Sequence, residues 1–336
     1  MIITKTPFRM SFFGGGSDFV EHYRQHGAAV ISSTFDKYCY VTLRNLPPFF
    51  DYKTHLSYSK DEFVNSNLEI EHPLIREALK WLEVDQIRLV YDADLPARTG
   101  LGTSSSFAVG LLKALYELRG DGEKSSRALA DDAIYLERNL CAEAGGVQDQ
   151  IAAAFGGFNR IDFSDKGYCV TPIAFPNARK KELEGKLLLF FIGFTRFSAD
   201  IQKGMSQSLG SKANQLIEMS ALVNDVDALL KSPHSCLDDF GRLLDHAWRL
   251  KRDISTNIST DYIDSLYQRA LSAGALGGKL LGAGGGGFLL FYADEERQST
   301  LESELSELLR IPFSFEDEGV KTIYSDFKHG TGVLSD

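Results

Sequence analysis

Apolar residues at Leu129, Ala133, Leu136 and Leu140 recur at i, i+4, i+7 and i+11, the spacing of one face of a helix. The stripe predicts a helix over 126–140 and sets Glu137 beside its buried edge. Similar periodicity predicts helices over 74–81 and 107–118, while runs rich in β-branched and aromatic residues predict strands over 28–43 and 87–91. The segment AAAFGGFNRIDF reads as a turn into a strand, and the apolar run 186–192 as a strand covered on both faces. Beyond residue 199 the pattern is largely helical to about 273, with breaks at Ser232-Pro233 and around Ser259. Glycines 282–287 then open into a strand over 288–292, succeeded by one helix and two short strands. The order of elements changes near residue 180, which predicts an α+β protein in two domains, 1–180 and 181–336.

The 336 residues are 43% hydrophobic and 24% charged, the mix of a folded protein rather than a disordered or fibrous one. Acidic residues number 46 against 36 basic ones, a net charge of −10. That balance argues against sequence-independent binding to nucleic acid, which depends on neutralising phosphates. Any anionic ligand must therefore be held by local groups. No apolar run approaches the roughly 20 residues of a membrane-spanning helix, and the opening MIITKTPFRM lacks the apolar stretch of a signal peptide. The expected location is the cytoplasm, away from membranes. Cys39, Cys141, Cys169 and Cys236 lie far apart with no CxxC pair, so neither a disulfide framework nor a zinc site is indicated.

Three glycine clusters stand out: SFFGGGSDF at 11–19, TGLGTSSS at 99–106 and GAGGGGF at 282–288. Each alone is explained by tight turns. The middle one runs directly into the helical pattern of Phe107, Leu111, Leu115 and Leu118. The first N–H groups of a helix lack intrahelical partners and its dipole is positive there, so the N-terminus of this helix suits the phosphates of a nucleotide triphosphate. Thr103 or Ser104 could equally cap the helix, and the two roles are compatible. No GxxxxGK[ST] occurs, which excludes a Walker loop. Gly282, Gly284 and Gly287 satisfy GxGxxG, but a strand comes next where a dinucleotide fold needs a helix. Among acidic residues, Asp149 sits in EAGGVQDQIAAAFGG after two glycines. It is placed either to face a cleft as a general base or to cap a helix starting at Gln150. Glu137 is either a solvated helix residue or, with the hydroxyl of Ser104, a pair able to hold Mg²⁺, which takes few protein oxygens. Arg9 is either a surface ion-pair partner or a ligand for phosphate or hydroxyl.

Taken in order, TPFRMSFFGGGSD, DLPARTGLGTSSS, GGVQDQ and GGKLLGAGGGGF resemble the signature set of the GHMP small-molecule kinases over nearly the whole chain. The resemblance implies a ribosomal protein S5 domain 2-like N-terminal domain and a ferredoxin-like C-terminal domain with the active site between them. It implies that Gly100, Leu101, Gly102, Thr103, Ser104, Ser105 and Ser106 wrap the phosphates of ATP, and that Ser104 with Glu137 holds Mg²⁺, Ser105 being the neighbouring alternative. Asp149 matches the family's catalytic aspartate, and Arg9 the basic residue near the attacking hydroxyl. Asp18 matches the sugar-binding acid of the sugar-kinase branch, with Gly15 and Gly16 beside it, and Gly284, Gly285 and Gly286 would border the phosphoacceptor. GGGSD together with QDQ-x-AAAFGG, and the segment FTRFSA carrying Arg196, resemble the D-glycero-D-manno-heptose 7-phosphate kinases, which phosphorylate the anomeric hydroxyl. That subgroup carries lysine before QDQ, where this chain has Val147, so either Arg196 or another base holds the acceptor's phosphate, or the acceptor is an unphosphorylated sugar such as fucose or galactose. Two rivals are a sugar- and ATP-binding regulator without turnover, disfavoured by the joint presence of Asp149, Glu137 and Ser104, and an ATP-dependent decarboxylase of the same superfamily, disfavoured by GGGSD and QDQ. A small-molecule sugar or sugar phosphate is the expected partner, and a homodimer stays open.

Overall fold

The computed structural model describes residues 1–97, 99–193, 212–254, 258–282 and 284–327. Its first sheet is built around one long strand. The strand β2 (Ala28–Asn45) pairs antiparallel with β1 (Ile2–Phe13) along nearly its whole length. On its other edge β2 takes β5 (Ile87–Ala93) at one end and β6 (Phe158–Ser164) at the other. Beyond β5 lie β3 (Thr54–Ser57) and β4 (Asp61–Val64), and beyond β6 lies β7 (Gly167–Pro172). An 18-residue strand can hold two neighbours on one edge because the sheet divides where β5 and β6 diverge.

The helix Thr103–Arg119 lies on β1 and β2. Its interior is buried almost all round, from Ser105 to Leu112, as befits a helix enclosed by other elements rather than floating on a surface. It starts after Gly102 and ends at Gly120, both left-handed, with φ of 73° and 75°. Thr4 Oγ1 donates to the Gly110 carbonyl at 2.9 Å, and a Cβ on Gly110 would meet Thr6 Oγ1 at 2.6 Å, so glycine sets how near the helix lies to β1. The apolar stripe over 126–140 is an α-helix only to Tyr135; Leu136–Leu140 forms a π turn. A π turn inserts an extra residue and so changes the direction in which the later side chains point. Glu137 consequently points inward and is 1% exposed, rather than lying at the edge of the stripe.

The second sheet runs β11-β8-β10-β9, all antiparallel, from β8 (Leu187–Gly193), β9 (Gly277–Leu280), β10 (Gly287–Tyr292) and β11 (Leu309–Ile311). Trp248 and Tyr267, from the helices Asp238–Arg252 and Asp261–Ser272, form its core with Phe291. The strand β9 is not predicted by the pattern, because two glycines and a lysine dilute its apolar signal. After the helix Glu295–Glu304 come three short strands rather than two. The last two, β12 (Phe315–Glu316) and β13 (Lys321–Ser325), return to the first sheet, β12 on β2 and β13 on β1. A single cut at residue 180 therefore does not separate the two sheets in space. No helix among the described residues is long and apolar enough to cross a membrane.

Candidate active site

Where β1 ends, the chain turns through glycines that have no room for a side chain. Gly14 has φ of 76°, and a Cβ there would lie 1.9 Å from the Ala29 carbonyl oxygen. The turn delivers Asp18, 1% exposed, against the start of the helix Gln148–Phe155. Asp18 Oδ1 accepts from the Gly16 N–H at 2.9 Å and from Gln148 Nε2 at 3.0 Å, and Oδ2 accepts from the Gln148 N–H at 3.0 Å. Burial and then the nearby Asp149 carboxylate push the Asp18 pKa up, while the backbone N–H groups hold it down. A Cβ on Gly146 would sit 1.9 Å from Asp18 Oδ2. GGGSD and GGVQDQ are thus two halves of one polar unit.

Arg9 ties this unit to the middle glycine loop. Its Nε and Nη2 donate to Asp149 Oδ1 and Oδ2 at 2.8 and 2.7 Å, and its Nη1 donates to the Gly100 carbonyl at 2.8 Å. The Arg9 N–H also donates to the Leu101 carbonyl at 3.1 Å. Such a two-pronged guanidinium–carboxylate pair fixes orientation as well as charge. Arg9 is 4% exposed, so it is not a surface ion-pair residue. Neither is Asp149 a cap: the helix starts at Gln148 and its N-cap position is Val147, leaving Asp149 within the first turn.

Within the loop itself the residues divide. Leu101, Ser105 and Ser106 are buried. Ser106 Oγ donates to the Pro7 carbonyl at 2.9 Å, and Ser105 Oγ donates to Glu137 Oε2 at 2.8 Å. The Ser106 N–H in turn donates to the Gly102 carbonyl at 2.9 Å, so neither its hydroxyl nor its N–H is left for a phosphate. Ser104 is exposed, because neighbours on a helix point about 100° apart. Of the two hydroxyls, it is that of Ser105, the alternative to Ser104, that meets Glu137. Gln150 Nε2 donates to the same carboxylate oxygen. Burial pushes the Glu137 carboxyl up to about 7, opposed by Arg138 and by these hydrogen bonds.

The third cluster also needs correction. A Cβ on Gly282 would lie 2.2 Å from Gly100 Cα, and one on Gly287 2.2 Å from the Thr99 carbonyl oxygen. Loops 99–102 and 281–287 are packed backbone against backbone, a closeness only glycine permits. Gly282 lines the cleft. Gly284 instead abuts Ile258, its Cβ position 2.9 Å from Ile258 Cα, and Gly285 donates to the Ile258 carbonyl at 3.0 Å. Gly284, Gly285 and Gly286 are buried supports of the loop and not part of the lining. Arg196 lies outside the described residues.

These elements enclose an open cleft. Arg9, Gly15, Gly16, Asp18 and Asp149 line it, together with Ser11, Gln148 and Lys279, which lie within the glycine-rich motifs without a role read for them, and Arg138 and Lys251, which lie in none. Lys251 carries a usable signal: it comes after Leu244, Ala247 and Trp248 at the spacing of the buried face of its helix. Lys279 carries another, as the charged residue inside GGKLLG. Among the described residues no group of three or more His, Cys, Asp and Glu side chains could hold a metal.

Two family models match the chain, the GHMP kinases N terminal domain over residues 68–157 and the GHMP kinases C terminal over residues 226–311. A D-glycero-alpha-D-manno-heptose 7-phosphate kinase of Campylobacter jejuni is 32% identical, over 96% of this chain and 98% of its own. A galactokinase of Pyrococcus furiosus is 24% identical over 89% and 91%. The crystal structure of a D-glycero-D-manno-heptose 1-phosphate kinase from Bacteroides thetaiotaomicron matches with a TM-score of 0.71 at 25% identity, covering 97% of this chain and all of that one. With these relatives spanning both sheets and the cleft between them, the chain belongs to the GHMP kinase family, the ATP-dependent small-molecule kinases, and sits beside that family's sugar kinases.

Proposed function

We propose that the protein is an ATP-dependent sugar kinase that transfers the γ-phosphoryl group to the anomeric C1 hydroxyl of D-glycero-D-manno-heptose 7-phosphate, giving the 1,7-bisphosphate. The observation that carries this reading is the Arg9–Asp149 pair, fixed at one wall of a cleft whose other polar groups, Asp18 and Gln148, suit sugar hydroxyls. The name of the Campylobacter relative supplies the acceptor, and the Bacteroides protein is named for a 1-phosphate; transfer to C1 is what the resemblance to the heptose 7-phosphate kinases implies.

In this reading the backbone of residues 100–105, at the N-terminus of the helix Thr103–Arg119, receives the ATP phosphates. Asp149 accepts the proton of the attacking hydroxyl, a contribution of about 10²–10⁴-fold for such bases. Arg9 holds the Asp149 carboxylate in one orientation and adds positive charge where negative charge spreads over the transferred oxygens. Mg²⁺ fits the neighbouring residues: Glu137 is a buried carboxylate whose pKa burial has raised, and Gln150 Oε1 is buried without a hydrogen-bond partner among the described residues. Glu137 with the hydroxyl of Ser105 or Ser104 would hold it. When bound, the ion neutralises phosphate charge.

The test is ADP release with ATP and Mg²⁺ across heptose 7-phosphate, mannose, fucose and galactose, with Asp149→Ala alongside. Turnover with the phosphorylated heptose, lost in Asp149→Ala while ATP binding persists, supports the reading. Turnover only with a free sugar replaces the acceptor, an outcome favoured by Val147 standing where the heptose 7-phosphate kinases carry lysine. ATP binding with silence across the panel would favour a regulator instead.

A further inference from the structure

Lys251 and Lys279 are 5% and 3% exposed, and both face the cleft. Lysine is almost never fully buried without a partner, and an unpaired buried ammonium is strongly unfavourable. Each makes one hydrogen bond to a carbonyl, Lys251 Nζ to Gly282 and Lys279 Nζ to Phe12 at 2.7 Å. Neither has a carboxylate within 4.0 Å among the described residues. Arg138 also lines the cleft, spends its bonds on the carbonyls of Glu143 and Gly146, and keeps a buried Nε without a partner among the described residues. Four cations, Arg9, Arg138, Lys251 and Lys279, face only two carboxylates, Asp18 and Asp149. One cation, Arg9, is already neutralised by Asp149. Arg138 also acts on the Glu137 carboxylate, which leaves Lys251 and Lys279 against Asp18, an excess of one charge in a protein whose net charge is −10; a phosphate monoester carries about −1.5 to −2 near neutral pH.

We propose that Lys251 and Lys279, assisted by Arg138, form an anion subsite that binds a phosphate carried by the acceptor, separate from the loop that binds ATP. The inference rests on the kinase reading above and names what that acceptor must carry. Lys251 is anchored on Gly282, where the loop meets Gly100, and the anchor of Lys279 favours the acceptor over the donor. The Phe12 carbonyl that Lys279 engages belongs to the end of β1, which leads into the turn holding Asp18. The ATP loop has its own backbone N–H groups and Arg9. Burial, then Lys251 and Arg9, pull Lys279 well below the ordinary lysine range, and Lys251 is pulled down to about 8; a bound dianion reverses both.

The test compares kcat/KM for heptose 7-phosphate with that for the unphosphorylated heptose, in the wild type, Lys279→Met, Lys251→Met and the charge-retaining Lys279→Arg. Removing one partner of a buried charge pair predicts that the preference for the phosphorylated acceptor falls about 100-fold in the methionine variants, with KM for ATP little altered and partial rescue by arginine. Equal losses on both acceptors, or a rise confined to KM for ATP, would overturn the assignment. If a methionine variant fails to fold, inorganic phosphate inhibition of the wild type decides: competition with the sugar phosphate but not with ATP supports the subsite, and competition with ATP alone refutes it. Should the wild type phosphorylate no heptose phosphate at all, the heptose-phosphate acceptor fails first. Calorimetric binding of inorganic phosphate with ADP present then tests the subsite by itself, with absence of binding counting against it.

Discussion

Replacing Glu137 by glutamine removes a single ionisation from the interior and changes little else. Ser105 and Gln150 both donate to the same oxygen of Glu137, Oε2, so a glutamine carbonyl can accept both bonds. Burial raises the carboxyl from an ordinary 4.5 to about 7. Between those values the folded protein holds this proton more tightly than the unfolded chain, so stability falls as pH rises through the interval. The contribution is fully present below pH 4.5 and is lost above about 7. At ~1.4 kcal/mol per pH unit, the loss amounts to about 3 kcal/mol. Urea denaturation in the absence of divalent ions should therefore find Glu137→Gln about 3 kcal/mol more stable than the wild type at pH 8, and nearly equal to it at pH 4.5. Mg²⁺ with ADP should recover the difference in the wild type and give the variant much less, because only an ionised Glu137 gains from a cation. Parallel pH profiles for the two proteins would refute the claim that Glu137 is an uncompensated buried acid.

Three further substitutions probe the other joints of the site. Gly146→Ala would drive a methyl group into Asp18 Oδ2; sugar KM should rise at least tenfold with ATP binding retained, as measured by nucleotide titration and initial rates. Gly282→Ala places a Cβ on Gly100 at φ of 81°, for which strain and overlap predict about 2–5 kcal/mol of lost stability and weaker ATP binding, read by calorimetry. Arg9→Met leaves Asp149 without its paired guanidinium; kcat should fall by about 10²-fold or more, and a near-normal kcat would place Arg9 outside the chemistry.

The glycine motifs were legible because the demand for glycine is local: Gly14 and Gly102 have positive φ, and Gly146 has no space for a Cβ. The meeting of Arg9 with Asp149, 140 residues apart in the chain, came from motif resemblance and not from spacing. Periodicity marked the position of Glu137 but not its inward turn, since a π turn has no strong sequence signature. The two lysines were hidden because burying an ammonium contradicts the preference on which core reading depends. The packing of Gly284 and Gly285 against Ile258 was equally invisible, as glycine reports permissiveness and not which backbone comes close.

The return of β13 to the edge of β1 has a consequence for synthesis. β1 ends at Phe13 and its edge partner begins at Lys321, so a ribosome adding about 5–20 residues per second leaves that edge without its neighbour for roughly 15–60 s. An unpaired edge is a template for pairing with other chains. The sheet begun first is thus finished last, and until then the nascent protein relies on chaperones or on speed to keep β1 from a wrong partner.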